Sequence, residues 1–183
     1  MDKNFKIETP RLIIRNWKSS DLPVFIAMNQ DPEVMEFHSG SVLTPEDSRK
    51  DMASRQKEFK ETGLCLWACE LKTTGEFIGS VGLTGHGFGV WFGCPAIEIG
   101  WRLARAHWNK GYATEAAKGV LDWTFENLGL QEVIATTAVN NQRSRRVMDK
   151  LGMTHDPRDD FDHPKLSKDH AVSRQVLYRI SRG

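Results

Sequence analysis

The stretch "HWNKGYATEAAKG" (residues 107–119) sets two small residues, Gly111 and Ala113, on either side of Tyr112, directly ahead of a run with helical spacing. Positions 113, 116, 117, 120, 121, 124, 125 and 128, apolar but for Thr124, recur with the period of an amphipathic helix, which predicts a helix over 112–128. The preceding run, "AIEIGWRLA" (96–104), reads as a strand. A helix entered this way offers the unpaired N–H groups of its first turn, equivalent to roughly half a positive charge. Small residues in the entering loop let an anion such as a pyrophosphate approach the backbone itself. On that reading side chains at Gly111 and Ala113 would block the anion, and Lys110 adds a solvated cation. The plainer reading makes Gly111 a turn residue and Ala113 a packing residue. The sequence alone leaves both open.

Two familiar nucleotide loops are absent: there is no G-x-x-x-x-G-K-[ST], and no G-x-G-x-x-G follows a strand and opens a helix. "GLTGHGFGVWFG" (82–93) is glycine-rich, but a strand of antiparallel type precedes it and no helix follows, so it reads as a flexible connection.

Working outward, residues 5–16 read as a first strand with Pro10 as a kink or edge feature. "SSDLPVFIAMNQDPEV" (19–34) reads as a short helix capped by Ser19 or Ser20. Thr44-Pro45-Glu46-Asp47 combines a capping hydroxyl, a first-turn proline and acids suited to the helix dipole, and Gly63 suits a left-handed exit. "LCLWACEL" (64–71) and "FIGSVGL" (77–83) read as an antiparallel hairpin. A strand over 132–139, a short helix over 140–153 ended by Gly152, and a final strand in "RQVLYRI" complete a mixed α/β or α+β domain around one sheet, taken as one domain over 1–183.

The bulk numbers narrow the partners. Over 183 residues the formal net charge is +1, which favours neither nucleic acid nor an anionic membrane. No apolar run approaches the roughly 20 residues of a membrane helix, and "MDKNFKIETPRLIIRNW" lacks the apolar core of a secretory signal. Cys65, Cys69 and Cys94 are odd in number and lack metal-ligand spacing, as expected of free thiols in a reducing cytoplasm, with no metal bound.

Four segments in order carry a resemblance: "IETPRLIIRNWKSSDL" (7–22), "GEFIGSVGL" (75–83), "IEIGWRLARAHWNKGYATEAAKGVLDWTF" (97–125) and "NNQRSRRVMDKLGM" (140–153). Together they resemble the GNAT acetyltransferase superfamily, and more narrowly its branch of Rim-type ribosomal-protein N-terminal acetyltransferases. The resemblance implies a sheet that splays between the strands at 96–104 and 132–139, with acetyl-CoA as cosubstrate inserted there. It implies that the pantetheine runs past Leu103 and Ala104 and that Asn141 contacts it. The pyrophosphate would meet the motif formed by Trp108, Asn109, Lys110, Gly111, Tyr112, Ala113 and Thr114. Asn109 stands where relatives carry glycine, and asparagine is the side chain that best tolerates positive φ.

The implied reaction is attack of a neutral amine on the acetyl thioester, and its parts ask for a base, oxyanion donors and an acid. Glu98 is the candidate base: on a strand it shares a face with Gly100 and Arg102, and a salt bridge to Arg102 is its plainer role. Many superfamily members carry a tyrosine where this chain has Met148, which leaves Ser144 as the candidate acid, or else a hydroxyl bonded within its own helix. His38 is a possible acceptor-side group or a surface histidine. "HDPRDDFDHPKLSKDH" (155–170) reads mainly as a solvated loop, some of whose acids would attract a cationic amine. The acceptor is expected to be a peptide N-terminus or a small amine such as a polyamine, amino acid or antibiotic. A CoA-binding regulator without activity is the alternative. The protein is expected to be a monomer or homodimer.

Overall fold

The computed structural model describes residues 5–38, 41–85 and 96–183. Its chain begins with a hairpin rather than the single strand expected over 5–16. Strands β1 (Lys6–Glu8) and β2 (Leu12–Arg15) pair antiparallel, with Ile7 opposite Ile14. Proline has a fixed φ and no N–H, so Thr9-Pro10-Arg11 turns the chain, closed by Thr9 N–H donating to the Leu12 carbonyl at 3.0 Å.

The helix expected over 19–34 is also divided. A single 3₁₀ turn at Ser19–Asp21 leads into α1 (Leu22–Asn29), and α2 (Pro32–Met35) follows. Neither serine caps it; the Asp21 carboxylate accepts from the Lys18 N–H at 2.8 Å. Pro32 opens α2 with Asp31 as its cap, accepting from the Glu33 N–H at 3.0 Å. Helix α3 (Pro45–Thr62) starts and stops where its sequence says. The Thr44 hydroxyl accepts from the Asp47 N–H at 3.1 Å, and Gly63 exits with φ 80°.

Strands β3 (Leu66–Leu71), β4 (Phe77–Thr84) and β5 (Glu98–Leu103) continue the antiparallel run. Helix α4 (Tyr112–Asn127) then crosses to β6 (Glu132–Ala138), which lies parallel to β5. After α5 (Gln142–Lys150) come the short β7 (Thr154–His155) and β8 (Phe161–Asp162), and finally β9 (Arg174–Ser181). The strand order is β1-β2-β3-β4-β5-β6-β9-β7, with β8 also on β9, so the sheet is mixed as expected.

Alternation along the strands builds a core on each face. Trp67 and Cys69 face a cluster with Ile99, Leu103, Ala116, Ala117 and Val120 under α4. Ala68, between them, faces Trp17, Phe25, Met28 and Met52 under α1 and α3. An ion network ties β2 and β3 to the start of α1. Buried Arg15 holds both Asp21 oxygens at 2.8 Å and Glu70 at 2.6 Å, and Lys18 reaches Glu70 at 3.0 Å.

The feature that matters for function is where the sheet opens. Strand β5 is paired to β4 from Gly79–Leu103 to Thr84–Glu98, and β6 to β9 from Glu132–Ser181 to Ala138–Gln175. Between β5 and β6 only Glu98 and Ile134 register, fixed by Ile134 N–H donating to the Ile97 carbonyl at 3.0 Å. Beyond that point the two strands part.

Asp21→Ala leaves the Arg15 guanidinium its Glu70 partner but takes the acceptor from its buried Nη2, and is expected to cost about 1–3 kcal/mol in urea unfolding. The same network sets a pH dependence. Burial pushes the Glu70 carboxyl up, but Lys18 and Arg15 outweigh it and hold it below its ordinary value. A depressed carboxylate contributes stability above its unfolded pKa and loses it as pH falls through the folded one. The urea midpoint of the wild type is therefore expected to fall on acidification through the carboxylate range, and to fall less steeply in Glu70→Gln.

Candidate active site

The parting strands enclose a cleft of about 470 Å³, lined by β5, the start of α4, residues 136 and 137 of β6, α5, and the α2 segment. Its β5 wall is backbone. Ala104 N–H donates to the Ile78 carbonyl at 2.9 Å, so Ala104, Arg102, Gly100 and Glu98 spend their main-chain groups on β4. The intervening Ile99, Trp101 and Leu103 turn theirs toward the opening. Trp108 Nε1 takes one of them, donating to the Leu103 carbonyl at 2.8 Å. Trp108 is itself covered by the Arg143 guanidinium, 4.4 Å above its ring, and Arg143 is held by Glu36 at 2.8 Å. This clamp, for which no local sequence signal exists, joins the end of β5 to α5 and the residues after α2.

The loop into α4 has the shape its small residues suggest. Gly111 caps the helix with φ 80°, and Asn109 has φ 58°, the only positive φ at a non-glycine among the described residues. The first helical bond is Glu115 N–H to the Gly111 carbonyl at 3.0 Å, which leaves the N–H groups of Tyr112, Ala113 and Thr114 without helical partners. All three residues line the cleft with Gly111.

Behind this loop stands a brace that was not foreseen. The Glu115 carboxylate accepts from the Thr9 hydroxyl and the Arg11 N–H, both at 2.7 Å, and from Arg11 Nε at 2.6 Å. Arg11 then donates to the Lys110 carbonyl at 3.1 Å and lies 4.6 Å over the Tyr112 ring. Partial burial works to raise the Glu115 carboxyl, but these donors hold it below its usual range.

On the opposite wall, Asn141 caps α5: its side-chain oxygen accepts from the Ser144 N–H at 3.2 Å and its amide donates to the Thr137 hydroxyl at 2.9 Å. The Ser144 hydroxyl lines the cleft and makes no hydrogen bond among the described residues, unlike the back-bonded hydroxyl weighed for it. Met148, also lining, is buried. Of the residues singled out from sequence, Glu98, Leu103, Trp108, Asn109, Gly111, Tyr112, Ala113, Thr114, Asn141 and Ser144 line this one cleft. Ala104 and Lys110 do not; Ala104 turns its backbone to β4, and the Lys110 carbonyl is taken by Arg11.

Glu98 does not pair with Arg102. Its carboxylate accepts from the Thr136 N–H at 3.2 Å and the Thr136 hydroxyl at 2.5 Å, across the gap between β5 and β6. Arg102 turns instead to Asp51 at 3.5 Å and to the Met35 sulfur at 3.1 Å, while Arg55 holds Asp51 at 2.9 and 3.2 Å. Burial and then Arg55 lower the Arg102 pKa to about 10 against the pull of Asp51. His38 lines the same part of the cleft. Its ring is exposed on one side, and the protein packed around it, then the Arg102 and Arg55 guanidiniums, hold its pKa below the ordinary histidine value, so it is neutral near pH 7.

One expectation ends elsewhere. The acids of 155–170 do not reach the cleft: Asp156 pairs with Arg158, Asp159 with Arg179, Asp160 with His155 and Asp162 with Arg174. The described residues contain no cluster suited to a metal and no helix long and apolar enough to cross a membrane. Cys65 and Cys69 are free and buried, which pushes both thiols up to about 12. Most of the glycine-rich stretch 82–93, and Cys94, lie outside the described residues.

Residues 11–154 match the family model described as Acetyltransferase (GNAT) domain. The chain is 31% identical over 147 residues to "Uncharacterized N-acetyltransferase YnaD" of Bacillus subtilis, covering 80% of this chain and 81% of that one. The crystal structure of a GNAT-family acetyltransferase from Bacillus anthracis superimposes with a TM-score of 0.80 at 26% identity, covering 97% of this chain and 98% of that one. A RimL ribosomal L7/L12 α-N-protein acetyltransferase solved with coenzyme A shares the fold at a TM-score of 0.77 and 12% identity, over 97% and 98% of the two chains.

The left-handed turn at Asn109 is open to test. Asn109→Gly is expected to leave the urea midpoint nearly unchanged. Asn109→Val forces a β-branched side chain to positive φ and is expected to cost about 1–3 kcal/mol.

Proposed function

This chain belongs to the GNAT acetyltransferase family and is an acyl-CoA-dependent N-acetyltransferase; we propose that acetyl-CoA occupies the cleft between β5 and β6 and that a primary amine takes its acetyl group there. The observation that carries the proposal is the geometry of the cleft's two ends. At one, the orphan N–H groups of residues 112–114, together with a helix dipole, suit the pyrophosphate. Along the other, the unpaired β5 backbone suits an amide-bearing arm such as pantetheine, since an extended chain adds to a free strand edge by main-chain hydrogen bonds. Asn141 keeps capacity for that arm, because its amide carries a second N–H beyond the one given to Thr137.

In the reaction the amine nitrogen bonds to the thioester carbon, the C–S bond breaks and the thiolate leaves. Glu98 accepts the proton of the ammonium. It stands at the fork of the strands, and Thr136 fixes one carboxylate oxygen by two hydrogen bonds. The N–H groups of Ile99, Trp101 and Leu103 that face the opening serve the developing oxyanion. Ser144 relays to the departing thiolate the proton shed by the newly acylated nitrogen, so that its own hydroxyl is restored, the role left vacant by Met148. The acceptor class includes protein N-termini, on which the RimL neighbour acts as its name states, and small amines.

Saturating acetyl-CoA is expected to raise the melting temperature, with a hundredfold excess over Kd contributing about 2.7 kcal/mol. No shift would remove coenzyme from the cleft. Glu98→Gln keeps an oxygen for Thr136 but cannot take a proton. It is expected to keep that shift while kcat falls by about 10² to 10⁴. Unaltered turnover would remove Glu98 from the chemistry. Ser144→Ala is expected to lower kcat by about 10² or more with the shift retained.

A further inference from the structure

On the α1–α3 side of the cleft the charges do not balance. One carboxylate, Asp51, lies between two guanidiniums, Arg55 and Arg102; the guanidiniums are buried and Asp51 is partly covered. Arg55 is satisfied: it holds both Asp51 oxygens, meets the Ser80 hydroxyl at 3.4 Å, and lies over the rings of Trp17 and Phe25. Arg102 is not. Its side chain is 9% exposed and lies 5.6 Å from the Phe25 ring, its Nη1 donates to the weak acceptor of the Met35 thioether, and its Nη2 stands 3.5 Å from Asp51 without making a hydrogen bond among the described residues. Both arginines line the cleft, whereas Asp51 does not. Neutral His38 adds no charge, and the two lining acids are engaged elsewhere, Glu98 with Thr136 and Glu33 with Arg105. One positive charge, buried and aimed into the site, is left to be matched. A protein leaves such a charge without a partner at high cost unless a ligand supplies the anion.

Resting on the acetyltransferase reading, we propose that the acceptor is an amine bearing a carboxylate, which docks on Arg102 beside Arg55 while its amine stands at Glu98. A guanidinium fork matches a carboxylate in geometry as well as in charge. Glu98 and Arg102 lie on the same face of β5 with Gly100 between them, and the apolar Leu66 side chain, which lies over Gly100, would flank the acceptor between its amine end and its acid end. Four strand residues set their α-carbons roughly 13 Å apart, which suits an acceptor whose two groups are several bonds apart. A polyamine would set cations against both guanidiniums and is disfavoured.

The test is coenzyme A release from acetyl-CoA by the full chain, in two arms that separate a free metabolite from a peptide. One arm compares glutamate with its diamide. The other compares C-terminally amidated tripeptides having Asp or Asn, and Glu or Gln, at the second position. In one arm the acid is expected to exceed its amide by about tenfold or more in kcat/KM, carried mainly by KM. In Arg102→Met that ratio is expected to fall to about one, with Arg102→Lys partly restoring it. Should Arg102→Met not fold, inhibition of the wild type by glutarate, competitive with the acceptor and absent with glutaramide, carries the same information. Equal rates for acids and amides in both arms, a preference that survives Arg102→Met, or turnover of polyamines only would overturn the proposal while leaving the acetyltransferase reading intact. No turnover of any amine, despite a thermal shift with acetyl-CoA, would remove both.

Discussion

A strand inside a sheet cannot leave its neighbour without stranding main-chain N–H and C=O groups, and this protein opens its sheet in the middle. Strands β5 and β6 are each fully paired on their outer sides but share only the register of Glu98 with Ile134. In a continued parallel ladder the Thr136 N–H would go to the β5 backbone. It goes to the Glu98 carboxylate instead, and so does the Thr136 hydroxyl. One side chain thus ends the pairing, satisfies the first amide beyond it and presents a carboxylate at the fork. Everything placed in the cleft depends on that parting.

The mouth of the cleft has its own constraint. A helix N-terminus that is to receive an anion must keep its first N–H groups free, which forbids the usual side-chain cap. Gly111 therefore occupies the cap position without a capping hydrogen bond, in a left-handed conformation. The acid that favours this end of the dipole sits inside the turn, at Glu115. It points away from the cleft and is spent on Thr9 and Arg11 of the first hairpin. The hairpin in turn braces the loop through the Lys110 carbonyl and the Tyr112 ring. The first hairpin is thus joined to the loop that enters α4, which gives the short β1–β2 hairpin a role in the site that its length does not suggest.

Legibility followed the range of the forces. Thr44, Gly63, Gly111 and Asn109 were readable because a cap or a positive φ is settled within a few residues. The helix over 112–127 was readable because its apolar period lies in the chain itself. The hairpin at Pro10 and the break at Pro32 were within reach of the same local rules, and the stronger pattern of flanking apolar residues hid them. The capping role of Asp21 was masked by two serines of the favoured type. The acids of 155–170 looked available for a substrate because their arginine and histidine partners are set beside them only by folding.

The sequence by itself determined most of the order of elements, an α/β or α+β domain around one sheet and a small-residue loop ahead of a helix, since these rest on periodicity and on what glycine, proline and asparagine can do locally. Which residues face one another was decided only in the tertiary structure. Glu98 and Arg102 share a strand face and looked like partners, yet packing gave Glu98 to Thr136, thirty-eight residues away, and Arg102 to Asp51. A charged side chain is claimed by whatever the fold brings within about 4 Å of it, and Coulomb attraction carries no record of sequence distance.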